Sequence, residues 1–235
     1  MMMQDIKTIF IDLDDTLWNF TENSKIALRH VYDTNSISQW CDYERFNGLY
    51  KEKNNELWEL YHYGKIDKEF LVTERFRYVF ELIGCNIENS ETLATKLNEE
   101  YLNYLAEQPT LVPGALELLQ HLTKHFKVHI LSNGFKGIQA KKLHSGGIDK
   151  YIDKIVLSDE VGYTKPLKEI FDVALKMVEA DATTTVMIGD NYDADICGAH
   201  NAGWKTIFFN RKNAIIDDTV ADITVNKLAD IISLF

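Results

Sequence analysis

A short apolar run ends abruptly in carboxylates in the segment Ile9-Phe10-Ile11-Asp12-Leu13-Asp14-Asp15-Thr16-Leu17. A continuous run of β-branched and aromatic residues is typical of a strand that is buried on both faces of a parallel sheet. Carboxylates at the end of such a strand are costly to place near a core unless a partner neutralises them. Mg²⁺ is a suitable partner, because hard cations prefer carboxylate and carbonyl oxygens. The segment therefore predicts a divalent metal site.

The second half of the chain alternates between strand-like and helix-like patterns. Apolar runs lie at residues 127–131, 154–157, 185–188 and 205–209. Segments with helical spacing precede or follow them, at residues 114–124, 137–145, 167–178 and 194–201. This alternation predicts an α/β fold with a parallel sheet that also contains the strand before Asp12.

Polar residues follow four of these strands, and in an open parallel sheet ligands bind beyond the carboxyl ends of the strands. The residues that we expect at this edge are Asp12, Asp14, Ser132, Asn133, Lys165, Asp190 and Asp195. Each short motif alone also has an ordinary structural interpretation, as a turn, a helix start or a surface charge. Four such interpretations at one sheet edge would be a rare coincidence, so the sequence favours a single functional site.

Residues 18–106 have a purely helical pattern. Apolar residues recur every three or four positions, first in a segment that contains Phe76 and Phe80, with Asp67 suited to cap its start and Gly84 to end it. A second helix is predicted after Ser90, and a third over residues 43–61. We therefore predict an all-helical domain at residues 18–106, inserted into a core formed by residues 1–17 and 107–235.

The composition excludes several classes of partner. The chain has 235 residues, is 46% hydrophobic and carries a formal net charge of −11, whereas nucleic acid and anionic membranes attract positive surfaces. Its three widely spaced cysteines, Cys41, Cys85 and Cys197, suit a reducing compartment. Neither a signal peptide nor a transmembrane span is expected. We therefore expect a cytoplasmic protein that binds neither nucleic acid nor a membrane.

Four ordered motifs resemble those of the haloacid dehalogenase (HAD) superfamily phosphatases. They are Asp12-Leu13-Asp14-Asp15-Thr16, Ser132, Lys165-Pro166, and Gly189-Asp190 with Asp195. The helical insertion lies where that superfamily has its C1 cap. The resemblance implies a Rossmann-like three-layer core with a parallel sheet (the HAD fold), an all-helical C1 cap domain, and Mg²⁺-dependent hydrolysis of a small phosphorylated metabolite.

The residues of these motifs are suited to phosphoryl transfer through a covalent intermediate. Asp12 is the expected nucleophile, which would form an aspartyl-phosphate. Asp14, two residues further along an extended segment, is the expected general acid and base. Ser132, Asn133 and Lys165 are expected to bind the phosphoryl oxygens.

The expected cofactor is Mg²⁺, which lets an anionic nucleophile approach an anionic phosphate. Its expected ligands are the carboxylate of Asp12, the main-chain carbonyl of Asp14 and the carboxylate of Asp190. Asp195 and Thr16 are expected to support this site. For Asp195 the expected task is to orient the lysine or a metal-bound water, rather than to bind the cation directly.

Longer strings resemble the pyrimidine 5′-nucleotidase branch of the same superfamily. They lie at residues 112–114, 131–134 and 158–166, with a further stretch in the insertion between residues 57 and 76. The resemblance implies pyrimidine nucleoside 5′-monophosphates as substrates. The loop Trp18-Asn19-Phe20 offers an aromatic face and an amide that suit a nucleobase, although single aromatic residues at helical spacing are more often core residues.

Several alternatives share this pattern. A phosphatase of a sugar phosphate or of phosphoglycolate, and a phosphosugar mutase, would use the same motifs. A 2-haloacid dehalogenase needs neither a metal nor an acid two residues after the nucleophile, so Asp14 argues against it. A non-catalytic binding module would be expected to lose a charged motif, and all are present. A monomer and a homodimer are both compatible with the sequence.

Overall fold

The computed structural model describes residues 3, 5–85, 90–216 and 219–235, without the side chains of residues 90 and 91. The chain divides into two compact units, Met1–Phe20 with Pro109–Phe235, and Thr21–Gln108. Trp18, Asn19 and Phe20 therefore belong to the first unit and not, as predicted, to the inserted segment. No helix in the described part of the chain is long and apolar enough to cross a bilayer.

The second unit consists of α1 (Phe20–Thr34, whose first residue belongs to the first unit), α2 (Tyr43–His62), α3 (Lys68–Leu82) and α4 (Ser90–Ala106), with a 3-10 turn at Ile37–Gln39. The side chain of Asp67 caps α3 by accepting a hydrogen bond from the main-chain N–H of Phe70 at 2.8 Å, which confirms the predicted cap.

Aromatic residues form the centre of this helical unit. Tyr50, Phe76 and Tyr101 are almost completely buried, and their ring centroids lie 5.0 to 5.9 Å apart. A buried arginine, Arg75, lies 5.3 Å from the ring of Tyr101 and donates hydrogen bonds to Asn98. These three aromatic residues at helical spacing are therefore core residues.

The first unit is built on a six-stranded sheet in which every strand pair is parallel. Its strands are β1 (Thr8–Ile11), β2 (Lys127–Ser132), β3 (Lys154–Leu157), β4 (Thr185–Gly189), β5 (Lys205–Phe209) and β6 (Ile223–Val225). Their order across the sheet is β3-β2-β1-β4-β5-β6, so the chain moves outward from β1 on one side and then on the other. This confirms the predicted α/β, Rossmann-like core and places the switch in strand order at β1 and β4.

Helices of 4 to 11 residues precede or follow the strands of this unit. They are α5 (Ala115–Leu122), α6 (Ile138–Ser145), α7 (Ser158–Val161), α8 (Lys168–Val178), α9 (Gly198–Asn201) and α10 (Leu228–Ile232). β6 and α10 were not predicted, because both are short and β6 buries only Val225. One turn of π-helix, Tyr192–Cys197, precedes α9 where an ordinary helix start was predicted.

Burial of the central strand explains its continuous run of apolar residues. Phe10 in the central strand β1 is paired with His129 of β2 and Met187 of β4. It packs in one buried cluster with Phe171 of α8 and Trp204. Because every residue of β1 from Ile9 to Ile11 is fully buried, the polar residues that follow start at a well-defined edge of the core.

Candidate active site

The carboxyl ends of the strands bring the predicted residues together. Asp12 follows β1, Ser132 ends β2, Lys165 lies in the loop between α7 and α8, and Asp190 follows β4. The strongest link between them is a buried lysine. The Nζ atom of Lys165 donates hydrogen bonds to Oδ1 of Asp12 at 2.7 Å, to Oδ1 of Asp195 at 2.6 Å and to the main-chain oxygen of Leu131 at 2.7 Å.

These contacts keep Lys165 charged. Burial alone would lower its pKa, but the negative charges of Asp12 and Asp195 outweigh burial and raise the pKa above its ordinary value. An ammonium group has three hydrogens, and all three are used in the contacts of Lys165. A phosphoryl oxygen at Nζ would therefore have to replace one acceptor, of which the carbonyl of Leu131 is the uncharged one.

The negative charge of three carboxylates, those of Asp12, Asp190 and Asp195, exceeds the positive charge of Lys165. Burial raises the pKa of Asp12 well above its usual range, and the charges of Asp195 and Asp190 raise it further against the opposing effect of Lys165. Burial, together with the charges of Asp195 and Asp15, raises the pKa of Asp190 to about 7. Both shifts have the same physical origin, because buried negative charges lie close together without enough positive charge.

A divalent cation fits this cluster. One carboxylate oxygen from each of Asp12, Asp190 and Asp195 lies within 4.8 Å of the others. Three carboxylates and the one ammonium of Lys165 leave a formal charge of −2 at their centre. Oxygen is the ligand atom that Mg²⁺ prefers, so both the charge and the donor type are suitable.

The contacts divide the three aspartates into two kinds. Asp195 is fully buried, and both of its oxygens are engaged, Oδ1 by Lys165 and Oδ2 by the main-chain N–H of Asn191 at 3.1 Å. Asp12 and Asp190 are joined by Thr16, whose Oγ1 lies 3.2 Å from Oδ2 of Asp12 and 3.4 Å from Oδ1 of Asp190. Because Asp12 and Asp190 are not completely buried, they are better suited than Asp195 to hold a cation.

Local geometry explains why a glycine, Gly189, precedes Asp190. Asp195 lies in the π-helical turn, and the side chain of Asn191 caps that turn by accepting from the N–H of Ala194 at 3.0 Å. A Cβ atom at position 189 would overlap the carboxylate of Asp195. Glycine at this position thus gives Asp195 room to reach the lysine, and π-helical turns of this kind are frequent at functional sites.

The side chain of Asn133 is hydrogen-bonded to the backbone of Lys165. Its Oδ1 accepts from the main-chain N–H of Lys165 at 2.8 Å, and its Nδ2 donates to the main-chain oxygen of Lys165 at 2.9 Å. These two bonds use both polar groups of a side chain that is only 8% exposed. Asn133 therefore joins two loops and positions Lys165, while the second N–H of its amide group keeps binding of a phosphoryl oxygen as a prediction.

The carboxylate of Asp14 is turned towards α6. Lys142 donates to its two oxygens at 2.7 and 2.9 Å, and Nε2 of Gln139 donates to Oδ2 at 2.9 Å. Because Lys142 and Gln139 engage this carboxylate, the main-chain oxygen of Asp14 remains the predicted ligand for a cation. Sequence reasoning missed Gln139 and Lys142. The available signal was their spacing of three on a predicted helix, which places an amide and a lysine on one face.

In the loop after β1, Trp18 and Asn19 are buried and Phe20 is partly exposed, so Trp18 does not offer the predicted stacking face. The side chain of Trp18 is fully buried, and Nζ of Lys142 lies 4.9 Å from the centroid of its ring. Asn19 is only 7% exposed, and its Oδ1 accepts a hydrogen bond from Arg211 at 3.4 Å. Arg211 also donates to the carboxylate of Asp15 at 2.9 Å, so Asp15 and Asn19 hold the loop in place.

Comparison with known proteins decides the family. A family model described as haloacid dehalogenase-like hydrolase matches residues 6–203. The chain belongs to this family.

Two similar relatives come from bacteria. The pyrimidine 5′-nucleotidase YjjG of Escherichia coli (strain K12) is 36% identical over 203 residues, which are 86% of this chain and 85% of that protein. The HAD-hydrolase YfnB of Bacillus subtilis (strain 168) is 29% identical over 209 residues, 88% of this chain and 86% of that protein. A crystal structure of YfnB bound to magnesium superposes with a TM-score of 0.87 at 26% identity, over 97% of this chain and 98% of that one.

A third relative has another substrate in its name. The glyceraldehyde 3-phosphate phosphatase of Methanocaldococcus jannaschii is 28% identical over 237 residues, 97% of this chain and 96% of that protein. Family membership thus establishes a hydrolase and agrees with the predicted HAD fold, while similar relatives differ in the compounds that they are named for.

Proposed function

We propose that this protein is a Mg²⁺-dependent phosphomonoester hydrolase that works through an aspartyl-phosphate and acts on pyrimidine nucleoside 5′-monophosphates. The observation that carries the proposal is the pairing of the buried Asp12 with Lys165, beside a second carboxylate, Asp190, and two residues before Asp14. In this proposal the second unit, residues 21–108, is the cap domain and the first unit is the catalytic domain.

Asp12 is the proposed nucleophile. Its carboxylate oxygen attacks phosphorus, the bond between phosphorus and the ester oxygen breaks, and a mixed anhydride forms on Asp12. The contact with Lys165 at 2.7 Å fixes the orientation of Asp12 and lowers its pKa, but burial and the charges of Asp195 and Asp190 leave the pKa raised. A bound cation would supply the remaining positive charge that favours the carboxylate. Lys165 thus orients the proposed nucleophile and offsets part of the cost of a buried negative charge.

Asp14 is the proposed general acid and base. Its carboxyl group gives a proton to the leaving ester oxygen, and it takes a proton back from the water that attacks the phosphorus of the intermediate. The net reaction consumes one water, and Asp14 ends in its starting state. Its side chain is 29% exposed, which allows contact with both a leaving group and water.

The proposed phosphate contacts are the hydroxyl of Ser132 and the ammonium of Lys165. Ser132 is 2% exposed and ends β2, on the strand next to Asp12. Mg²⁺ would be held by the carboxylates of Asp12 and Asp190 and the main-chain oxygen of Asp14. When bound it would neutralise charge and let two anions approach each other. Most of the acceleration expected for phosphoryl transfer comes from such neutralisation and positioning.

The relatives support the substrate class differently. YjjG, at 36% identity, is named a pyrimidine 5′-nucleotidase, which supports nucleoside monophosphates such as UMP, dUMP and dTMP. A relative named for glyceraldehyde 3-phosphate supports a small sugar phosphate as the second candidate. A mutase uses the same residues but requires a bisphosphate activator. We also propose a cytoplasmic location, in agreement with three free cysteines, and leave monomer and homodimer open.

A panel of substrates tests the proposal. kcat/KM is measured with Mg²⁺ for UMP, AMP, glucose 6-phosphate, phosphoglycolate and glyceraldehyde 3-phosphate. We expect UMP to lead and AMP to follow, with activity that needs no bisphosphate. A sugar phosphate or phosphoglycolate that leads by tenfold would replace the nucleotidase assignment but leave the phosphatase mechanism standing. Hydrolysis of 2-chloropropionate in EDTA, without phosphatase activity, would replace both.

A further inference from the structure

Helix α6 carries a buried lysine that the mechanism above does not use. The side chain of Lys142 is 5% exposed, and its ammonium bridges both oxygens of Asp14. The rings of Trp18 and Phe20 lie 4.9 and 5.5 Å from the same nitrogen. Lysine is almost never fully buried unless it is paired. The aromatic rings and the carboxylate together confine this ammonium to one place.

A neighbouring amide extends the arrangement to the phosphate contact. Nε2 of Gln139, which is fully buried, donates to Oδ2 of Asp14 at 2.9 Å and to Oγ of Ser132 at 2.7 Å. A carboxylate can only accept, so the nitrogen of the amide must face Asp14. Gln139 therefore links Asp14, the proposed acid and base, to Ser132, the last residue of β2.

Ser132 is oriented by the same contacts. Its Oγ accepts from Gln139 and from the main-chain N–H of Gly134 at 3.1 Å. Since a hydroxyl has two lone pairs, the hydrogen of Ser132 is left to donate elsewhere, as a contact to a phosphoryl oxygen requires. A Cβ atom at position 134 would overlap the amide of Gln139, so glycine there makes room for it.

We propose that Gln139 and Lys142 are positioning residues for departure of the leaving group. They hold the carboxyl group of Asp14 in register with Ser132, so that the proton of Asp14 lies next to the ester oxygen when the phosphoryl group is bound. Oδ2 of Asp14 accepts from both residues, whereas Oδ1 accepts from Lys142. Oδ1 is therefore the oxygen that exchanges the proton. Neither positioning residue gives up a proton of its own.

The inference rests on the proposed phosphatase function. A comparison of substrates with different leaving groups distinguishes failure of the inference from failure of the proposed function. Expulsion of a nucleoside 5′-alkoxide needs a proton, whereas p-nitrophenolate is a stable anion and leaves without one. kcat/KM covers only the steps up to departure of the leaving group. It is measured for UMP, or for the best alkyl phosphate of the panel, and for p-nitrophenyl phosphate, with Lys142→Met and Gln139→Met.

For both variants we expect kcat/KM for UMP to fall by about 10²-fold, the cost of a misplacement of ~1 Å, and that for p-nitrophenyl phosphate to change little. In an Asp14→Asn background the same substitutions should have no further effect on UMP, because they act through Asp14. Lys141→Met is the matched control, since Lys141 is exposed on the same helix, and it should leave both substrates unchanged.

Equal losses on both substrates would overturn the inference, because they indicate a general structural defect. So would no loss on UMP, or a loss that persists without Asp14. Thermal unfolding shows whether each variant folds. Should Lys142→Met fail to fold, Gln139→Met and Gly134→Ala carry the same comparison, since an added Cβ at position 134 displaces Gln139. If the wild-type protein hydrolyses neither substrate, the proposed function itself fails instead.

Discussion

Lys165 and Asp12 form a buried ion pair, with Nζ 2.7 Å from Oδ1 and side-chain exposures of 3% and 10%. Asp195 is held by the same nitrogen at 2.6 Å. One ammonium thus stabilises two carboxylates of which only Asp12 is the proposed nucleophile. Because a buried charge without a partner is costly, each member of this group affects both folding and chemistry.

Replacing Lys165 should separate those two effects. Lys165→Met leaves Asp12 and Asp195 without their partner, and we expect a loss of about 3–5 kcal/mol in the free energy of unfolding together with loss of turnover. Adding Asp195→Asn removes one of the two orphaned charges. The double variant should therefore regain part of the stability but none of the activity, as measured by urea unfolding and by kcat. Recovered activity would contradict the role of Lys165.

Asp12→Asn should abolish turnover and leave the fold intact, because an amide cannot form the acyl-phosphate. Steady-state hydrolysis of UMP and trapping of a phosphorylated protein measure the effect, and circular dichroism reports the fold. Asp193→Asn is the control, since Asp193 is exposed in the same sequence region as Asp190. Near-normal rates for Asp12→Asn would contradict the covalent mechanism.

Removal of metal should stop the reaction. We expect no activity in EDTA and full recovery with Mg²⁺, while Asp190→Ala should need a much higher Mg²⁺ concentration. Calorimetric titration of Mg²⁺ provides a readout that is independent of turnover. Binding should weaken strongly in Asp190→Ala and remain normal in Asp193→Asn. Unchanged Mg²⁺ binding in Asp190→Ala would exclude Asp190 as a ligand.

The raised pKa of Asp190 predicts the pH dependence of the metal-free protein. Its pKa in the folded state is about 7, against an ordinary value of 3.8. Between these values the folded state keeps a proton that the unfolded chain has lost. The Asp190 contribution to stability is therefore present below pH 4 and is lost as the pH rises towards 7, by about 1.4 kcal/mol per pH unit.

Urea unfolding of the metal-free protein at several pH values measures this effect. Asp190→Asn is the control, because an amide does not titrate, so its stability should fall less over the same interval. Magnesium competes with the proton, so its affinity should increase as the pH rises to about 7. If the free energy of unfolding of the wild-type protein rose relative to that of Asp190→Asn between pH 4 and 7, the predicted direction of the pH dependence would be wrong.

The sequence alone determined strands β1 to β5 and the edge that they share. Continuous apolar runs predicted β1 to β5, since a strand buried on both faces needs apolar residues throughout. The order of polar residues after those strands then placed Asp12, Lys165 and Asp190 at one edge. Both features are local, because each depends only on neighbouring residues and on the rule that parallel strands end together.

The tertiary structure decided which side chains contact each other. Lys142 lies 128 positions from Asp14, and Lys165 lies 32 positions from Asn133, so no local pattern links them. Only the folded chain reveals that Asn133 binds the backbone of Lys165 and that Trp18 is buried. The physical reason is that a polar side chain near a core takes whichever partner packing brings within about 3 Å, and packing is set by the whole chain.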